Sequence, residues 1–278
     1  MDSSQRLTIR HLINSAAQLP EFIKRHHEKR TYTLACGVVK HFLGEEWLRN
    51  NTGPVYKERG FLTPTLTDDG VLDQIQLFKL VDLAELLFNL QNIEGVEKCI
   101  DQLKTAKQIE TTIAELDVAR MLYINDHYFW FNPPGGVEGS DFDFLLMYPN
   151  GMLAAIEAKC NIESETFNPA TIRNALLKAK KQLPTNIPGI IFVKIHGKVF
   201  AQPDFQKDSQ RVAIAFLRNT ERVASVEFYC EQITYVNGII GQTHAFWEIT
   251  NPNHRPRYGL EFADKLEAAA AKMEYASG

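Results

Sequence analysis

Apolar and polar positions change period once along this chain. Up to about Asn125 the apolar residues return every three or four positions; beyond it they come in short aromatic and β-branched blocks. The first pattern predicts helices and the second predicts strands. Arg6 to Asn51 carries helical spacing, interrupted at Pro20, since proline inside a helix removes a hydrogen bond. Asn50 to Gly70 is rich in turn formers and reads as a loop or a hairpin. Val71 to Gln91 reads as one long helix. Its residues Leu80, Leu83, Leu87 and Leu90 form a stripe that Leu77, Val81, Ala84 and Phe88 widen. Gly95 marks a break. Lys107 to Asp126 reads as a further helix, with Ile109, Ile113, Leu116 and Tyr123 near one face.

His127 to Pro134, HYFWFNPP, predicts a short strand that a double proline ends. Ser140 to Cys160, SDFDFLLMYPNGMLAAIEAKC, predicts two strands around a turn. The next segment, NPATIRNALLKAKKQLP, predicts a helix: Asn168 suits the N-cap, Pro169 the first turn, and Pro184 the stop. PGIIFVKI and VASVEFYCEQITYV predict strands, and the alanine-rich stretch from Gly259 to Gly278 predicts a helix. The loop-like stretch Ile249 to Phe262 feeds that helix and carries no functional signal. From Gln108 the order is helix, three strands, helix, strand. That order indicates an α/β sheet between helices. The N-terminal helices form a separate subdomain or a cap on it.

The hairpin can be set in register. Pro149-Asn150-Gly151 suits a three-residue loop, proline opening a type I turn and glycine taking the left-handed position. One face then pairs Leu146–Ala154, Phe144–Ile156 and Phe142–Ala158. The other pairs Met147–Leu153, Leu145–Ala155, Asp143–Glu157 and Asp141–Lys159. A two-residue Asn-Gly turn mixes the two faces, because a one-residue slip turns a strand's side chains over. Opposed carboxylates on a sheet repel, so Asp143 and Glu157 call for a cation. Lys159 supplies one; a divalent metal compensates better, since hard cations take carboxylate oxygens.

Composition narrows the partners. The chain has 278 residues, is 45% hydrophobic and carries a net charge of −4, enough apolar content for one large domain or two modest ones. No apolar run reaches the ~20 residues of a membrane helix, and the N-terminus lacks a secretory pattern, so a soluble cytoplasmic protein is expected. Four scattered cysteines without zinc spacing read as reduced, mostly buried thiols. The acidic balance counts mildly against a nucleic-acid partner and does not exclude one. No Walker A loop, GxGxxG or HExxH occurs.

The acids at the strand entry, the hairpin and Ile156-Glu157-Ala158-Lys159 together resemble the PD-(D/E)xK nuclease superfamily, over about Gln108 to Ile195. The resemblance implies a restriction-endonuclease-like three-layer α/β core: a central mixed sheet flanked by helices. A mainly helical N-terminal region (1–105) would precede the nuclease-like domain (106–278). Glu157 and Lys159 fill the second half of the motif. Ser140-Asp141-Phe142 resembles its first half with serine replacing proline, while the register favours Asp143; both aspartates stay open as the principal ligand. Glu115, on the preceding helix, is the candidate extra acid. The family resemblance implies Mg²⁺, with Mn²⁺ as a substitute, held by Asp143, Glu157 and Asp141. Lys159 would then act on the attacking water in phosphodiester hydrolysis, as in a DNA endonuclease of restriction, repair or defence type, with a homodimer admitted.

Arg173, Lys178, Lys180 and Lys181 on the following helix, with Lys194 and Lys198 beyond it, are candidate nucleic-acid contacts; a solvated helix face is the alternative. The run from Lys24 to Arg30 reads as a solvated helix end, and the aromatics of HYFWF as core. The other reading is a nuclease-like fold without catalysis, serving as a protein- or nucleic-acid-binding module.

Overall fold

The computed structural model describes residues 6–52, 62, 74–105, 109–133, 135–161, 167–236 and 239–253, with backbone alone at 74–77, 232–236 and 239–242. Contacts divide the chain into two compact units, Met1–Leu116 and Asp117–Gly278. The predicted loop or hairpin from Asn50 to Gly70 and the predicted C-terminal helix lie mostly or wholly outside the described residues.

The first unit is helical: α1 (Ile9–Gln18), α2 (Glu21–Lys24), α3 (His27–Leu43), α4 (Glu45–Thr52), α5 (Gln74–Leu90), α6 (Glu97–Thr105) and the start of α7 (Ile109–Ile124). Pro20 precedes α2 and separates it from α1, as the sequence predicts. The expected stripe on α5 forms the core: Leu80, Leu83, Leu87 and Leu90 are buried, and α5 packs against α3 through Ala35, Val38, Val39 and Phe42 of the latter. Gly95, at φ +82°, stands in the turn before α6, where a left-handed residue is needed. Of the face predicted on α7, Ile109, Ile113 and Leu116 are buried, but Tyr123 is 47% exposed. Tyr123 is therefore off that face.

In the second unit α7 leads into β1 (Tyr128–Phe131), β2 (Phe144–Met147), β3 (Leu153–Asn161), α8 (Pro169–Gln182), β4 (Gly189–Ile195), α9 (Gly197–Phe200), α10 (Phe205–Leu217), β5 (Val223–Val236) and β6 (Ile239–Thr250). The six strands lie side by side in chain order. β1 to β3 form an antiparallel meander, β3–β4 and β4–β5 are parallel, and β5–β6 is antiparallel. The sheet is thus mixed and open, as α/β sheets with helical crossovers tend to be. On one face α8 and α10 cover Ala155, Ile191, Val193, Val226 and Phe228. Over the other face, the second half of α7 reaches the strands through Asp117 and Arg120.

The α8 signals act as expected. The Asn168 side chain accepts from the N–H groups of Ala170 and Thr171, and Pro169 opens the helix. The hairpin register is also as read from the sequence: Phe144 faces Ile156, Leu145 Ala155, Leu146 Ala154 and Met147 Leu153. Tyr148 and Met152 close it, and Gly151 takes φ +81°.

The ladder stops at Phe144 and Ile156, which corrects three expected pairs: Asp143 does not pair with Glu157, its N–H donating to the Ile156 carbonyl at 2.9 Å instead. Phe142 does not join Phe144 above Ala158; it packs in the α8-side core with Ala155. Asp141 does not pair with Lys159. The cause is the β1 side. Asn132 Nδ2 donates to the carbonyls of Ser140 and Phe142 at 2.8 and 3.0 Å, drawing this segment out of the β3 ladder.

Candidate functional site

The α8 face of β3 carries Glu157 and Lys159 as alternate residues, so both point the same way. Glu157 is 1% exposed, while the Lys159 side chain is 21% exposed and donates to Glu157 Oε1. Lys159 also donates to Gln182 Oε1 at 2.6 Å, and Gln182 Nε2 donates to the Asp141 carbonyl at 3.1 Å. The last turn of α8 thereby fixes the ammonium and ties it to the segment that enters β2.

Asp143 arrives from the neighbouring strand. Its N–H donates to the Ile156 carbonyl at 2.9 Å, and its Oδ2 accepts from the Ala158 N–H at 2.9 Å. Ala158 lies between Glu157 and Lys159, so Asp143 is tied to the stretch of β3 that carries both. Asp141 has a different task. Its Oδ1 accepts from the N–H groups of Gly135 and Gly136 at 2.8 and 2.7 Å, clamping the loop after β1. Glu115 belongs to the first unit, where Lys98 lies 3.3 Å from Oε2 and the Cys99 thiol donates to the same oxygen at 3.6 Å.

The donor set at Asp143 and Glu157 suits a hard cation. Carboxylate oxygens are the ligands that Mg²⁺ takes, and the Lys159 ammonium stands beside Glu157. Asp141 fits less well, because one of its oxygens already accepts two hydrogen bonds.

A second charged group occupies the opposite face of the sheet. Asp117, Glu231 and His244 offer ligand atoms within 4.8 Å of one another. Yet Lys194 already stands among them, its Nζ 2.5 Å from Asp117 Oδ2 and 2.7 Å from Glu231 Oε1. Arg120 adds a contact to Asp117 at 2.8 Å. Burial alone would raise the Asp117 pKa; Lys194 and Arg120 outweigh it and hold the carboxyl well below the usual range. Burial likewise works against the Lys194 ammonium, and Asp117 and Glu231 overcome it. Burial and the Arg120 charge push His244 down to about 4. Arg120 Nη2 lies 3.3 Å from His244 Nε2. Since a guanidinium only donates, that nitrogen is the unprotonated one. Two acids and two bases thus balance around a neutral histidine, and the ammonium fills the place a metal would take.

Sequence reasoning missed both Gln182 and this network. It also counted Lys194 among surface contacts for phosphates, whereas Lys194 is 5% exposed. The signal was present: Lys194 is the one polar side chain in Gly189–Ile195, a strand buried throughout, and a buried lysine needs an acid. Gln182 gave no comparable signal, being a polar residue at a helix end. Of the basic residues on α8, Arg173, Lys178 and Lys181 are exposed, and Lys180 Nζ donates to the Asn219 carbonyl at 3.0 Å. Among the described residues, no helix is long and apolar enough to cross a membrane. The chain matches no family model, no curated protein and no solved structure.

Proposed function

We propose that this protein is a metal-dependent nuclease that hydrolyses phosphodiester bonds, with DNA as substrate, and that its core is restriction-endonuclease-like. The observation that supports the reading is the tether of Asp143 to the N–H of Ala158, the residue between Glu157 and Lys159, where two adjacent strands part. The order helix, meander, helix, strand from α7 to β4 is the one the PD-(D/E)xK resemblance implies.

Asp143 and Glu157 would hold Mg²⁺. When bound, the ion supplies a more acidic water and neutralises charge on phosphoryl oxygens. The chain's own residues prepare the site. The Ala158 N–H fixes one oxygen of Asp143, so this carboxylate is presented without rotamer freedom. Burial keeps Glu157 in one place. Lys159, held by Glu157 and Gln182, sits where its ammonium can orient a water or stabilise negative charge that develops on a phosphate. Asp141 and Gln182 position these groups and do not themselves touch the phosphate.

The test is cleavage of supercoiled and linear DNA with Mg²⁺ by the wild-type chain beside Glu157→Gln and Lys159→Ala. Cleavage should fall at least 100-fold in both variants while circular dichroism stays native. Equal cutting by all three, or none by the wild type on DNA or RNA, overturns the reading.

A further inference from the structure

α8 and α10 enclose a groove of about 810 Å³ on the outer side of the second unit. Arg173 and Lys180 of α8 and Arg211 of α10 line it, and no acidic side chain does. Leu177, Val212 and the largely buried Phe216 line it as well and give it an apolar floor. Leu177 is 42% exposed. Arg173 makes no ion pair among the described residues. Arg211 has Asp208 3.1 Å away on its own helix, and its side chain is 72% exposed. On a chain with net charge −4, three cations around an apolar floor are a local reversal that favours an anionic partner.

We infer that this groove holds an unpaired nucleic-acid strand, a contact that rests on the nuclease reading and narrows its substrate to strands with single-stranded segments. Duplex surfaces present phosphates and groove edges, and leave an apolar floor unused. An unpaired strand also offers base faces, which apolar and aromatic side chains receive while cations track the phosphates. Continuity with the candidate active site favours this occupant. Lys180 lines the groove and Gln182, two residues on, holds Lys159. Two residues turn a helix by about 200°, so groove and site flank the end of α8, separated by about one helix diameter of ~10 Å. A strand leaving the groove over this end meets Lys159. Lys178 and Lys181, exposed on the same helix, line no part of the groove and serve as an internal control.

The experiment measures fluorescence anisotropy of labelled 20-nucleotide probes (single-stranded DNA, single-stranded RNA and duplex DNA) on the full chain, with Ca²⁺ in place of Mg²⁺. The proteins are wild type, Arg173→Ala/Arg211→Ala and Lys178→Ala/Lys181→Ala. At least one single strand should bind ten times more tightly than duplex. The groove variant should lose at least tenfold and flatten the slope of log K against log salt by about 1.4, two contacts at about 0.7 each. The control should stay within threefold. Four outcomes overturn the inference: equal binding of duplex, an unaffected groove variant, an equal loss in the control, or no binding to any probe. A dimer that dissociates in the groove variant, or displacement of the probe only by an acidic amphipathic peptide, gives the groove another occupant and also overturns it. Binding without cleavage by the wild type sinks the nuclease reading alone. Cleavage with an unaffected groove variant sinks the groove alone.

Discussion

Replacing Lys194 by methionine tests whether its network is structural. The substitution keeps the aliphatic stem and removes the ammonium. Asp117, fully buried, then loses its contact at 2.5 Å, and Glu231 loses one at 2.7 Å. Arg120 remains 2.8 Å from Asp117 and 3.9 Å from Glu231, so one of two balancing charges is gone. Removing one member of a buried pair costs about 3–5 kcal/mol, because the other charge stays buried without compensation. The partly exposed Glu231 can turn to water, which places the expected loss at the lower end, about 3 kcal/mol. For a chain of this size that lowers Tm by roughly 6–12 °C. The assay is urea unfolding followed by circular dichroism. Asp117→Asn combined with Lys194→Met should recover at least ~1.5 kcal/mol of the loss, since the pair is then removed as a unit. A Lys194→Met protein within ~1 kcal/mol of wild type refutes the argument, and so does a double variant whose losses simply add.

Other consequences follow from the same geometry. Burial and then Glu248, its partner across the β5–β6 ladder, raise the Glu227 pKa well above 4.5. Its raised folded pKa adds stability that is full below pH 4.5 and is lost as pH climbs through the folded value, so Glu227→Gln should flatten the alkaline side of a Tm-against-pH curve; an unchanged curve counts against the raised pKa. His244 goes the other way. With a folded pKa of about 4 against the usual 6.5, it contributes up to about 3 kcal/mol that is complete above pH 6.5 and lost as the pH falls to about 4. His244→Gln should remove that slope from urea titrations, and a slope that persists would trace to other groups. Gly151→Ala forces a side chain to φ +81° and should cost about 1–2 kcal/mol in urea unfolding, so equal stability would speak against the left-handed turn. Mg²⁺ should raise the Tm of wild type and not of Glu157→Gln; equal shifts in both would place the ion elsewhere.

The sequence revealed most where a single physical constraint decided the answer. The hairpin register followed from two faces that could not be mixed, and Phe144 opposite Ile156 is the result. It failed one residue further out, at Asp143, because the deciding group was Asn132, just after a strand that pattern alone could not dock. β6 was missed although Asn237-Gly238, a strong two-residue hairpin signal, lies between the paired Val236 and Ile239. Its alternation is obscured by Gly241, which has no side chain, and by Gln242 and His244, polar residues that would ordinarily read as solvent-facing. α10 was missed for a related reason: Phe205 to Leu217 opens with polar residues, and its apolar face shows only once Ala213, Phe216 and Leu217 are seen packed. Of the candidate site, the acids and Lys159 were legible through spacing. Gln182 was not, because it acts through a contact 23 residues away.

The two faces of the sheet explain why one charged group is read as a site and the other as a scaffold. Successive residues of a strand point to opposite faces. β3 therefore sends Glu157 and Lys159 toward α8, while Lys194 on β4 and Glu231 on β5 point to the α7 side. Around Lys194 the acids and cations match in number: Asp117 and Glu231 meet Lys194 and Arg120 beside a neutral His244. A metal there would have to expel an ammonium already bonded to both carboxylates, exchanging one satisfied cation for another. On the α8 side Lys159 donates to Glu157, which is almost wholly excluded from water, and the Ala158 N–H between them holds Asp143. An ammonium thus stands between the acids of the α7 face, while on the α8 face Lys159 lies at the water-accessible side of a buried glutamate, which is why the proposed cation is assigned to the second face and not the first.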